Sequence, residues 1–137
     1  MEAYPMPMFA KLTVQDVKKS IEWYKNVLHF TAVFELTDDD GNVVMAHIRG
    51  KKYQDLMLVL GDTQGAFQEE RVILQFAADD VDVYVKNAGA DIIEGPVIRP
   101  WNARELVLKD PDGYVLTLSM RAEHEKTFHD VIDEVTG

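Results

Sequence analysis

Two hydrophobic periods alternate along the chain. "MFAKLTV" (8–14) and "FTAVFEL" (30–36) are short runs of β-branched, aromatic and aliphatic residues, which predicts strands. Between them, "DVKKSIEWYKNVL" places Val17, Ile21, Tyr24, Val27 and Leu28 at helical spacing behind Asp16, a residue type that caps helix N-termini. "VVMAHIR" (43–49) follows the turn-forming Asp38-Asp39-Asp40-Gly41-Asn42, and "DLMLVL" (55–60) follows the Lys51-Lys52 turn region, so both read as strands. The order is β-α-β-β-β. After the more polar connector "GDTQGAFQEE" the pattern restarts. "RVILQFAA" predicts a strand, and "DDVDVYVKNAGA" a helix with acidic residues at its start and Gly89 at its end. "IIEGPVI", "ELVLKD" and "YVLTLSM" complete the second set of strands, with Pro96 and Pro100 marking breaks or edges. The chain therefore carries β-α-β-β-β twice, over residues 8–60 and 71–120, in one α+β domain spanning 1–137.

The last two strands form a hairpin about Asp110-Pro111-Asp112-Gly113. Side chains alternate across a strand, so Leu116, Leu118 and Met120 share one face while the more polar set Val115, Thr117 and Ser119 shares the other. The tail "AEHEKTFHDVIDEV" places Phe128, Val131, Ile132 and Val135 at helical spacing, which predicts a C-terminal helix over 121–137 that docks on the body or on a second subunit.

Composition narrows the function classes. With 24 acidic against 14 basic side chains the formal charge is −10, which repels nucleic-acid phosphates and anionic membranes and favours cationic partners. The absence of cysteine excludes disulfides, thiolate metal sites and thiol nucleophiles. No basic segment with a long apolar core opens the chain, and no apolar run approaches the ~18 residues of a membrane span, so a cytoplasmic protein is expected. G-x-S-x-G and phosphate-loop signatures are also missing.

Three stretches, "LTVQDVKKSIEWYKNVLHF", "LQFAADDVDVYVKNAGADII" and "PWNARELVLKDPDGYVLTL", resemble the vicinal oxygen chelate superfamily, the group of glyoxalases, bleomycin-resistance proteins and extradiol dioxygenases. The Asp-Pro-Asp-Gly hairpin, with Trp101 and Arg104 before it and Tyr114 after, is the most specific part. The resemblance implies two βαβββ modules whose curved sheets form an open barrel-like cavity, a homodimeric assembly, and, in the enzyme members, a divalent metal held by His, Gln or Glu from the first and fourth strands of each module. Such an ion would stabilise an enolate or activate dioxygen.

Carried over position by position, those ligand places fall on Phe9, Leu58, Ile73 and Thr117, none of which holds a hard or borderline dication well. Nearby, Asp55 and Gln75 alone could bind through oxygen. No metal and no cofactor is expected, and the resemblance points to the metal-free, drug-sequestering branch. Phe9, Phe34 and Trp101 are candidate stacking platforms for an aromatic or cationic small molecule, although for Phe9 and Phe34, which lie on strands, core packing is the favoured reading. Glu35, Asp38 and Asp55 could attract a cation. Arg104 is a candidate for an anionic group, or for pairing with a local carboxylate. His47 is the one histidine placed to meet a cavity, with a purely structural role as the alternative. The competing reading is a lyase or dioxygenase with an atypical or absent metal site, in which Glu35, His47, Asp55 or Tyr114 serves as acid or base.

Overall fold

In the computed structural model the described residues are 8–62 and 72–123. They fall into two units, one within Met1–Glu69 and one within Glu70–Gly137. The predicted C-terminal helix, from residue 124 on, and most of the polar connector lie outside the described residues.

In the N-terminal unit the strands are β1 (Ala10–Val14), β2 (Thr31–Thr37), β3 (Val43–Arg49) and β4 (Asp55–Leu60), with helix α1 (Val17–Leu28) between β1 and β2. They form an open sheet in the order β1-β4-β3-β2, β1 running parallel to β4 and the other neighbours antiparallel. α1 forms where predicted. The Asp16 carboxylate accepts the Lys19 amide at 3.0 Å, and Val17, Ile21, Tyr24, Val27 and Leu28 are buried. The helix ends at His29, in the left-handed conformation, with the Phe30 amide donating to the Tyr24 carbonyl across the turn. Leu12, Ala46, Ile48, Leu56 and Leu58 are buried on the sheet face that α1 covers.

The C-terminal unit repeats the topology. Strands β5 (Leu74–Ala77), β6 (Ile92–Arg99), β7 (Ala103–Lys109) and β8 (Val115–Arg121) form an open sheet in the order β5-β8-β7-β6, with β5 parallel to β8. The helix predicted over 79–90 is broken. A 3₁₀ turn at Val81–Tyr84 leads into α2, a single turn at Val85–Ala88, and then a second 3₁₀ turn at Gly89–Asp91. β-branched Val81, Val83 and Val85 at alternate positions disfavour a continuous helix, and the Asp80 carboxylate fastens the first turn by accepting the Asp82 amide. Val81 is buried and its amide donates to Met120 Sδ, so this turn packs on the Leu106, Leu108, Leu116 and Leu118 side of the sheet.

The opposite face stays open. Strand register sets Gln75, Thr117, Val107 and Glu94 in one row across the four strands, with Ala77, Ser119, Glu105 and Val97 in the next. β6 departs from regular pairing between Ile92 and Val97. Gly95 lies there with φ +96°, and a Cβ at this position would collide with the Glu105 carbonyl. Glycine thus lets β6 approach β7 beside Glu105.

Candidate functional site

The open face of the C-terminal sheet bounds a concavity of about 650 Å³, within the range of small-molecule sites. Its floor carries Thr117, Val107 and Gln75, and its rim Ile73, Ile93 and Trp101. Trp101 is 53% exposed, whereas Glu105 is only 6% exposed.

Glu105 organises the polar part. Arg99 Nε donates to its Oε1 at 3.0 Å, while Ser119 Oγ at 3.3 Å and Trp101 Nε1 at 3.4 Å donate to its Oε2. A buried carboxylate tolerates its desolvation only with such partners. Arg99 also reaches Glu94 at 2.5 Å, and its guanidinium lies 5.9 Å from the centre of the Trp101 ring. The hydrogen bond from Arg99, reinforced by its charge, holds the Glu94 carboxyl below its ordinary range, and those to Glu94 and Glu105 push the arginine up. Two carboxylates against one guanidinium leave the site a formal charge of −1.

The expected residues distribute unevenly. Thr117, Ile73 and Trp101 all line this concavity. Phe9, Phe34 and His47 belong to the N-terminal unit, where Phe34 and His47 are cross-strand partners on the face of the sheet opposite Leu58. Leu58 itself is 0% exposed and lies in register with Ala46 and Leu12 on the α1-covered face, so the expectation that it lines a cavity is not met. Its neighbour Met57, half-buried and paired with His47, stands on the open face instead.

Arg104 also turns away. It lies on the β7 face that packs against the 3₁₀ turn, where Nε and Nη2 donate to both carboxylate oxygens of Asp82 at 2.9 and 2.7 Å. Its role is to fasten that turn to the sheet, the local pairing left open by the sequence. The Arg104 hydrogen bond lowers the Asp82 pKa from its ordinary 3.8. A carboxylate with a depressed folded-state pKa adds stability above the ordinary value and loses it as pH falls through the lowered one. Arg104→Gln is therefore expected to lower the urea midpoint at neutral pH. Its deficit should shrink as pH drops below 3.8, while ligand binding stays unchanged.

Glu105, Arg99 and Glu94 were not among the predicted site residues. Period-two counting through "ARELVLKD" sets Glu105 and Val107 on the opposite face from Leu106 and Leu108, and that signal could have found Glu105. Arg99 and Glu94 lie on the irregular β6, whose register no local pattern specifies.

The donor set does not fit a resident dication. At the first- and fourth-strand positions stand Phe9, Met57 or Leu58, Ile73 or Gln75, and Thr117, which offer no carboxylate or imidazole. Glu105 is committed to Arg99, and no group of three or more His, Cys, Asp or Glu is arranged for a metal among the described residues.

These features define a class: small α+β proteins with two βαβββ units, here with a concavity on the open face of the second sheet. The profile of the Glyoxalase/Bleomycin resistance protein/Dioxygenase superfamily matches residues 7–118, and the chain belongs to that superfamily. Among solved structures, TioX from Micromonospora sp. ML1 is similar at TM-score 0.66 and 18% identity, over 83% of this chain and 97% of that one. TnmS3, an antibiotic binding protein from Streptomyces sp. CB03234, is similar at TM-score 0.62 and 24% identity, over 88% and 99%. A glyoxalase/bleomycin resistance protein from the same Streptomyces is similar at TM-score 0.59 and 25% identity, over 82% and 97%. Comparison with curated proteins found no match.

Proposed function

We propose that this protein binds a planar aromatic or cationic small molecule, a drug or metabolite, and sequesters it without a resident metal. The observation that carries this reading is the Glu105 carboxylate, buried on the floor of an open concavity beside the half-exposed Trp101. Membership of a superfamily that includes bleomycin-resistance proteins supports it, as does the likeness to an antibiotic binding protein. Thr117 and Gln75 supply hydrogen-bonding groups at the floor, Trp101 the stacking surface, and the net negative charge the attraction. Phe9, Phe34 and His47 are candidate contacts of the N-terminal unit alone and form no part of this C-terminal site. The acidic chain acts in the cytoplasm, as a homodimer, and needs no nucleic-acid or membrane partner. No helix among the described residues is long and apolar enough to cross a membrane.

The test is a fluorescence titration of the full-length protein against a panel of planar cationic compounds, before and after exhaustive chelation, with metal analysis of the purified protein. Saturable quenching of Trp101 that chelation leaves unchanged is expected. One tightly held Ni, Zn, Mn or Fe per chain, with binding lost on its removal, would overturn the metal-independent reading. Absence of saturable binding across the panel would overturn the ligand class.

A further inference from the structure

The open face of the N-terminal sheet holds a second polar centre, unrelated in its residues to Glu105. Asp55 begins β4 with its side chain only 1% exposed. His47 Nε2 lies 2.7 Å from its Oδ2, and Arg49 Nε donates to the same oxygen at 3.0 Å. A carboxylate flanked by a guanidinium accepts rather than donates, so Nε2 carries the imidazole proton. In the neutral imidazole, Nδ1 then presents a lone pair. Among the described residues Asp55 is the partner of His47, and no buried side-chain nitrogen or oxygen lacks a partner, so Nδ1 reaches solvent. The His47 side chain is accordingly 26% exposed.

Its surroundings are apolar. Phe34 on β2 and Met57 on β4 are the cross-strand partners of His47, and Phe34 is 55% exposed. The charged groups on this face are Asp55, Arg49 and, on β1 in register with Met57, Lys11. An imidazole oriented by a buried carboxylate, with its second nitrogen open and flat or polarisable side chains on either side, has the parts of an acid–base site. This arrangement suits an aromatic hydroxyl, whose ring could pack on Phe34 and Met57 while its O–H meets Nδ1.

We propose that His47, positioned by Asp55, forms a second small-molecule site that binds a phenolic hydroxyl and takes its proton. The phenol O–H bond breaks and an Nδ1–H bond forms, leaving phenolate beside an imidazolium whose Nε2–H remains on Asp55. No oxidant, reductant or metal enters. Here His47 touches the ligand and Asp55 is a positioning residue.

The experiment uses p-nitrophenol and the full-length protein, at a pH where the free phenol is mainly neutral. The wild type is expected to develop the visible phenolate band saturably, and His47→Gln to reduce it by at least about tenfold. Asp55→Asn should weaken the band more than it weakens binding, which is measured separately by displacement of p-nitroanisole. That ether lacks the proton and should bind both the wild type and His47→Gln without a band. Absence of the band in the wild type, or its persistence in His47→Gln, overturns the proposal. So does ¹⁵N NMR of the wild type placing the proton on Nδ1 with Nε2 bare, a result that does not depend on any variant folding.

Discussion

Leu58→Ala is expected to lower unfolding free energy by about 2–5 kcal/mol, whereas Met57→Ala, one residue earlier, should cost about 1 kcal/mol or less. Leu58 is fully buried between β1 and β3 on the face covered by α1, so its removal opens a cavity among Leu12, Ala46 and α1 side chains that cannot close around it. Met57 is half-buried on the open face, where water and neighbouring side chains replace it cheaply. Urea denaturation of the two variants decides the matter. Equal losses, or a larger loss at Met57, would mean that β4 is displaced by one residue and that Leu58 faces the ligand after all.

The physical reason this register was illegible lies in the strand itself. "DLMLVL" is apolar at every position after the aspartate, so alternation gives no clue to its faces, and a one-residue slip exchanges them all. The corresponding strand in the second half, "YVLTLSM", interrupts its apolar run with Thr117 and Ser119. Its polar face was therefore readable, and Thr117 does line the concavity. The two βαβββ units were legible from their periods because strand and helix patterns differ over many residues. The 79–90 segment was less so, since acidic start and glycine end signal a helix while three valines between them resist one. Glu105 was within reach of simple alternation. Arg99 was not, because its contacts depend on where an irregular β6 lies against β7, which is fixed by tertiary packing and by the close approach at Gly95.

Substitutions around Glu105 should move cation binding in opposite directions, and their signs carry more information than their sizes. Glu105→Gln keeps the shape of the side chain but removes its charge, leaving Arg99 to balance Glu94. The site then changes from a formal charge of −1 to zero. Hydrogen bonds to charged groups contribute about 1.5–3 kcal/mol, so affinity for a planar cation should fall by roughly 10- to 100-fold. Trp101→Ala removes the stacking surface and a donor to Glu105, with an expected loss of about tenfold. Arg99→Gln should act the other way. It removes the guanidinium that lies beside the Trp101 ring and bridges Glu94 to Glu105, taking the site to −2 and freeing the volume a cationic ligand needs. Tighter binding of planar cations is expected, even as the protein loses stability through a less well-satisfied Glu105. Calorimetric titration of the three variants with one planar cation separates the possibilities. If Arg99→Gln abolishes binding while Glu105→Gln spares it, the arginine is the recognition group and the ligand is an anion. A fall in both would assign Arg99 the task of holding Glu105 in position, since the carboxylate can receive a ligand only while its geometry is maintained.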